Sequence, residues 1–587
     1  MRTSKRGTTA ALAVGLLALV GAACGSSKSS SNTTPATTVP ATTAAGSSTT
    51  SGATTTSGVT PTSGATGSSV PAAGSGMKLT IDINPKAVWD DGSPITVADI
   101  QCTFDATMKT PGSLSTVGYD QIDSIAAGTS DKQAVVKFKT VYAPYKNLFS
   151  NLIKKAAVKN CDDVSGDLQT AIPFSGTEWK QQSWSKDQEV LVPNDKYWGP
   201  EKPIAKQVVI VPKADTDTEI SSLKSGEVDF IFPQGYAGIA DALNDPNIKS
   251  TPGYGTNYEG LYFQQKTGVF ADAAFRQGFA HSIDRDLILK TIYGPIFPGS
   301  KLLGCPLWVP TIGKWCDGTT YDNYFDPKAA AAALTAGGYA KDGSGMWAKD
   351  GKVPTVKWVV NSGNKRRETT QQLMIPELKK QGFNVVQDNC DAACFFQKRL
   401  PALDYDMAMY INTASPDPTV TTIMACSQVP SDANGNKGQN STGWCNKDAS
   451  ALMAQSDSEL DVAKRVDEIH QIGKLVAKDA VMVPLFQFPN IAAWRTDKLT
   501  GPVDKDASNY MAFQNIWEWD PGASGKILIG AEQWPDCINS ITECANSSWM
   551  VWTTAFKLQP SVWDTTAGGD YVPTALVTGE PKVEVLK

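Results

Sequence analysis

The chain has 587 residues, 41% of them hydrophobic, enough for at least two domains with cores of their own. Its formal net charge is only −6, so it lacks the basic footprint that a nucleic-acid partner requires. With just two histidines, neither in an H-E-x-x-H nor in a usable triad pattern, it offers little for zinc or serine-hydrolase chemistry.

The amino terminus reads as an export signal. Arg2, Lys5 and Arg6 form a basic region, and residues 10–23 are apolar or small over a length too short to span a bilayer permanently. Cys24 follows Gly21-Ala22-Ala23. This resembles a bacterial lipobox, with Gly21 where leucine is usual, and predicts lipidation of Cys24; an ordinary signal peptide cut nearby is the alternative. Residues 25–76 are almost entirely Ser, Thr, Gly, Ala and Pro, which cannot bury enough apolar surface to fold, and are expected to form a disordered tether. No later stretch reads as a transmembrane span.

Strands and helices then alternate. Leu79, Ile81 and Ile83 predict a strand, Asp90-Asp91-Gly92 a turn, and Thr96 with Asp99 the capping pair of a helix whose Ile100 and Phe104 share a face. Strands are expected at 190–192 and 208–211, then a helix with Ile220 and Leu223 on one face, stopped at Gly226. A buried strand at 260–263 precedes a helical pattern across 270–294, where Phe275, Phe279 and Ile283 fall four apart. Strands at 356–360, 384–386 and 405–410 flank a helix at 368–382 that Pro376 should bend or start. Val462, Val466, Ile469 and Val476 form the apolar stripe of a long helix. Such alternation argues for α/β domains.

Several of these stretches carry motifs. AVWDDGSPITVADIQCTF at 87–104, Asn194-Asp195-Lys196-Tyr197-Trp198-Gly199, Ser225-Gly226-Glu227-Val228-Asp229, the set Asp272, Arg276, Gln277, Ile283, Asp284 and Arg285, and Val483-Pro484-Leu485-Phe486 occur in this order. Together they resemble the family 5 solute-binding proteins, the peptide- and nickel-type receptors of ABC importers. The resemblance implies a two-lobed periplasmic-binding-protein-like fold (type II, cluster C) with an extra Ib-type subdomain, closing around a solute like jaws.

One piece is displaced. In the family the chain would finish near Trp517-Glu518-Trp519, whereas here residues 521–525 form a flexible joint into 526–587. KILIGAEQWPDCINS, from Lys526, looks like the family's first strand and following loop, and Tyr571 to Leu576 resembles its next piece. Circular permutation is the economical explanation, because ends lying close on a surface can be joined and new ones opened in a turn. Residues 582–586 (KVEVL) should then pair antiparallel with 78–83 (KLTIDI). The alternative is an appended module, barely large enough to hold a core. The expected domains are signal and lipobox 1–24, tether 25–76, lobe I 77–255 including the Ib-type subdomain, lobe II 256–488, a return to lobe I at 489–520, and the permuted first segment of lobe I at 521–587.

Beyond Cys24, ten cysteines remain in an exported chain. Sequence neighbours predict Cys305–Cys316, Cys390–Cys394, Cys426–Cys445 and Cys537–Cys544, which leaves Cys102 for Cys161. Paired cysteines leave no thiol nucleophile, no Walker or Rossmann glycine motif follows a strand, and no cofactor or metal is expected. Binding is the better account than catalysis, with a secreted hydrolase of peptide or carbohydrate as the contrasting possibility. By position, the resemblance implies ligand contacts at Glu532, Gln533 and Trp534, then Tyr119, Arg399, Asn412 and Asp417: stacking walls (Trp534, Tyr119), a carboxylate clamp (Arg399) and polar or acidic contacts (Asn412, Asp417). Peptide receptors of the family often carry an aspartate that holds the peptide's α-ammonium. Here the aligned residue is Ala414, so amino-end recognition would need Asp417 or Glu532 instead. The expected protein is a monomeric extracytoplasmic receptor, lipid-anchored to the outer face of the cell membrane, that delivers a small, most simply oligopeptide-like, solute to an ABC permease in the cytoplasmic membrane.

Overall fold

The computed structural model describes residues 76–587, apart from positions 214, 237, 298, 435–437, 506, 511, 567–568 and 587. The export signal, Cys24 and all but the last residue of the expected tether lie outside the described residues.

Three sheets organise the chain. The largest has seven strands in the order Trp179–Trp184, Glu189–Pro193, Gln207–Pro212, Lys526–Ala531, Phe230–Ile231, Asn490–Arg495 and Ile248–Gly253. Lys526–Ala531 lies inside it, parallel both to Gln207–Pro212 and to Phe230–Ile231. Its sequence KILIGA is a nearly unbroken apolar run, as a parallel strand covered on both faces requires, and Ile527 and Ile529 are buried. Residues 526–587 are therefore no separate body. Trp549 and Trp552 pack on Phe513 with ring centroids 5.6 and 6.2 Å away, and Trp552 also meets Phe232 at 5.7 Å. Backbone bonds weave the same segment into residues 149–176: Ile538 N–H to Gln169 O (3.0 Å), Gly176 N–H to Leu558 O (2.9 Å) and Val562 N–H to Phe149 O (3.0 Å).

A four-stranded sheet runs Ile122–Ala127, Gln133–Phe138, Met77–Asp82, Lys582–Val585. Met77 opposes Val585 and Thr80 opposes Lys582, the antiparallel pairing expected from the alternating patterns. Lys78 meets Glu584 across it at 2.8 Å, and the Leu586 N–H donates to Gly76 O at 2.8 Å. The third sheet has five strands: Asn384–Gln387, Thr355–Val359, Met407–Thr413, Asn257–Phe263 and Met482–Gln487. Helices Lys365–Gln381 and Val462–Lys478 belong to this body, and Val97–Lys109 to the four-stranded one.

Local signals act as their chemistry dictates. The Thr96 N–H donates to Asp99 Oδ2 at 2.9 Å, and the same oxygen receives the Trp89 indole N–H at 3.4 Å, which ties the turn at 90–92 to the helix that follows it. Gly226 stops Thr216–Ser225 at φ +77°. All five disulfides form with the pairing expected from sequence. Three expectations need correction. The 270–294 pattern is two helices, Ala273–Ala280 and one beginning at Arg285, because Asp284 caps the second by accepting from the Leu287 N–H at 2.8 Å. Helix Lys365–Gln381 contains Pro376 in its interior rather than starting there. Val462 is 53% exposed, since it occupies the first turn of its helix before the apolar stripe reaches the core.

A buried ion cluster sits in the third sheet. Glu259 on Asn257–Phe263 accepts from Arg367 Nε at 3.1 Å and from Arg366 Nη2, and all three side chains are at most 2% exposed. Arg366 also donates to Gln234 Oε1 at 3.0 Å, a residue of the loop after Phe230–Ile231, so the cluster fastens the five-stranded body to the seven-stranded one.

Candidate ligand-binding cleft

Where these bodies face each other, three adjoining hollows of about 110, 450 and 290 Å³ open between them, and Thr413 lines all three. Their common wall is the carboxyl end of Met407–Thr413 and the turn after it, since a strand that runs out of its sheet presents side chains and backbone to whatever lies opposite. The opposite wall is formed by the loop after Lys526–Ala531 and by residues 546–552. Direct bonds hold the walls at this separation: Asn147 Nδ2 donates to Asp417 O (2.8 Å), Ser415 Oγ to Asn147 Oδ1 (2.8 Å), and Asn364 Nδ2 to Gln234 Oε1 (2.9 Å).

Glu532, Gln533 and Trp534 line the smallest hollow, facing Phe396, Ile411 and Thr413. Trp534 is positioned by stacking on Trp184, centroids 6.3 Å apart and planes 7° apart, and by its indole N–H to Ser185 O at 3.1 Å. Glu532 Oε2 accepts from the Thr216 hydroxyl at 3.4 Å, while its Oε1 is buried without a partner among the described residues. Burial raises its carboxyl to about 7, although Gln234 and the Arg366 and Arg367 guanidiniums pull the other way; the neighbouring Glu219 is likewise pushed up, by burial and by Glu532 itself. Asn412 lines the central hollow, where its amide donates to Tyr262 Oη at 3.3 Å. Tyr119 borders the third, but its hydroxyl is engaged by the Phe149 N–H at 2.7 Å and burial raises it to about 12.

The other two expected contacts are placed differently. Arg399 lines none of the three hollows: its Nη2 meets Asp388 Oδ2 at 2.6 Å and its Nε donates to Asp404 O at 2.9 Å. Asp417 sits at the cleft's edge with its carboxylate on Arg465 Nη1 at 2.5 Å. Ala414 is 5% exposed and lines the third hollow, where it offers no charge to a peptide's amino end. Sequence reasoning missed Tyr410, Tyr510, Asn546 and Trp552, which line the central hollow. Tyr410 was within reach, being two residues from Asn412 on the same strand; Asn546 and Trp552 carry no motif.

An α/β chain of two lobes, with a polar and aromatic cleft between strand ends, defines a solute-binding protein of the periplasmic-binding-protein type. The chain belongs to the bacterial extracellular solute-binding proteins, family 5, whose middle region matches residues 71–432. It is 24% identical over 444 residues to the oligopeptide-binding protein AppA of Bacillus subtilis, spanning 72% of this chain and 77% of that one. To the oligopeptide-binding protein OppA of Mycobacterium tuberculosis it is 23% identical over 433 residues, 71% and 70% of the two chains. Among solved structures it is similar to B. subtilis AppA in complex with a nonapeptide (TM-score 0.65, 20% identity, 76% of this chain and 87% of that chain). It is equally similar to NikZ from Campylobacter jejuni in complex with Ni(L-His) (TM-score 0.65, 17% identity, 76% and 88%). No helix among the described residues is long and apolar enough to cross a membrane.

Proposed function

We propose that this receptor takes an oligopeptide-like solute into the cleft and hands it to an ABC permease, held at the outer face of the cell membrane through a lipid on Cys24. The observation that carries this is the cleft itself: Ile411 to Ser415 of one lobe opposite Glu532 to Trp534 and Asn546 to Trp552 of the other. Backbone and amide groups there can pair with an extended peptide's N–H and C=O groups, while Trp534, Trp552 and Tyr410 supply faces for its side chains. Glu532, Gln533, Trp534 and Asn412 are the contacts we assign, with Tyr119 as a wall fixed by its own hydrogen bond. The names of the related oligopeptide-binding proteins support the same class of solute.

The peptide's amino end is not the anchor in this reading. Ala414 offers no charge, and Asp417 is neutralised by Arg465. The lobes run as 77–255 with 489–587, and 256–488, with the last segment of the first lobe supplied by a circular permutation. The central place of Lys526–Ala531 in the seven-stranded sheet and the pairing of Met77–Asp82 with Lys582–Val585 support that order of events.

The test is calorimetric titration of the chain with matched peptides bearing free or acetylated amino ends. Equal affinity for both, with the peptide recovered intact, is expected. A strong preference for the free amine overturns the assignment of the anchor, and cleaved product overturns the receptor reading.

A further inference from the structure

A larger cavity lies behind the hollows of the cleft. It holds about 810 Å³ and is lined only by residues between 146 and 201 and between 505 and 576, all of the lobe of the seven-stranded sheet; it adjoins the cleft, sharing Tyr510, Val551 and Phe556 with the central hollow and Asn147 and Leu148 with the third. Its lining carries three carboxylates, Glu178, Glu201 and Asp564. Glu178 is only 9% exposed; its backbone oxygen accepts from the Asn194 N–H at 2.9 Å, but its carboxylate receives no hydrogen bond from another described residue. Asp564 accepts from the Gln514 amide and from the Thr565 N–H (2.7 Å), and Glu201 from the Tyr197 hydroxyl (2.7 Å). One buried ammonium opposes these three carboxylates: Lys557, whose Nζ donates to Phe513 O at 2.6 Å. The rim lysines are already paired, Lys146 with Glu580 at 2.6 Å and Lys505 with Glu518 at 3.1 Å.

Two further acceptors in the lining are left over. Gln559, 2% exposed, has its Oε1 buried without a partner among the described residues, and so has Asn151 its Oδ1. Buried acceptors without donors are costly, by about 1–3 kcal/mol each, and a ligand rich in N–H groups removes that cost. Trp198 and Trp517 stand in the same lining, and aromatic faces attract cations.

We infer that this cavity is a second binding site, behind the cleft wall and lined by one lobe alone, for an organic cation bearing N–H donors, an aliphatic amine in chemical class. Its ammonium would lie against Glu178 and Asp564, with the remaining N–H groups on Gln559 and Asn151. Burial holds Glu178 up at about 7 and Lys557 down at about 8 in the protein alone, the condition of a low-dielectric site that a cation would relieve.

The experiment titrates the purified chain with spermidine, choline and galactose at matched ionic strength, reading both heat and melting temperature. Spermidine is expected to bind one to one and raise the melting temperature, choline to bind more weakly because it lacks N–H donors, and galactose not at all. Glu178→Gln is expected to weaken spermidine by about tenfold or more and to leave peptide binding in the cleft unchanged; Trp517→Ala should weaken it independently. Absence of spermidine binding, full retention in both variants, or a shift reproduced by sodium chloride or by galactose would each overturn the site. Because peptide binding is read on the same samples, failure of this site and failure of the cleft assignment remain distinguishable.

Discussion

Asp417 and Arg465 form an ion pair at 2.5 Å, and Arg465 Nη2 reaches on to Pro418 O at 2.6 Å. The arginine comes from the long helix Val462–Lys478 and is 4% exposed, so the pair pins the turn after Met407–Thr413 to that helix. Removing one member of a buried pair strands the other charge, at a cost of about 3 kcal/mol or more. Asp417→Ala is therefore expected to lower unfolding stability by about that amount in urea titrations, with peptide affinity changed little once the protein is folded. Loss of affinity at unchanged stability would make Asp417 a ligand contact instead.

Glu259 stands between Arg366 and Arg367 with essentially no exposure. Because Arg366 also holds Gln234 of the opposite lobe, the cluster both stabilises and fastens. Glu259→Gln keeps the shape but leaves two guanidiniums facing a neutral amide, and a loss of about 3–5 kcal/mol is expected. The same variant should expand the molecule in solution scattering, as the Gln234 attachment loosens. An unchanged scattering profile with lowered stability would confine the cluster to a purely local role.

Stability should fall as pH rises from about 5 to 8. Glu189, buried among Gln181 and Thr554, is raised by burial from 4.5 to about 7. Between those values the folded protein keeps a proton that the unfolded chain has released, so its contribution is complete at the acid end and gone above pH 7. The size is on the order of 3 kcal/mol. Glu178 and Glu532, both raised to about 7, act in the same direction. Lys557, lowered from 10.5 to about 8 by burial, acts oppositely, but its gain comes only above pH 8. Melting temperature should thus be higher at pH 5.5 than at pH 8, and Glu189→Gln should flatten the slope. An equal slope in the variant would show that Glu189 does not titrate in this window.

What the sequence made legible follows from how local each signal is. Strand 526–531 announces itself as an apolar run, Asp99 lies three residues from the backbone it caps, and each cysteine pair but one is a sequence neighbour. The candidate site is legible only on the side made by strand ends. Asn546 and Trp552 become a wall because Trp549 and Trp552 anchor in an aromatic cluster with Phe513 and Phe232, an arrangement no short spacing encodes. Arg399 looked like a clamp, yet Asp388 and Asp404 lie 11 and 5 residues away and engage it locally. Asp417 finds its partner 48 residues on, beyond any motif.

The order of segments can itself be tested. Leu586 and Gly76 are already joined by a backbone hydrogen bond of 2.8 Å, so a two-residue link can connect the described ends without strain. Opening the chain instead at 521–525 leaves Lys526–Ala531 as the first strand, still parallel to Gln207–Pro212, because its register depends on pairing and burial rather than on what precedes it. A chain that starts at Gly525, runs to Leu586, crosses the link to Gly76 and ends at Asp520 is expected to fold with the same five disulfides. Its peptide affinity should match that of the natural order, since no cleft residue lies at either junction. Its melting temperature should differ by only a few degrees, set by the change in loop closure. A chain that forms only some of the disulfides, or folds but no longer binds the peptide, would show that the present order is built into the architecture rather than interchangeable with the rearranged one.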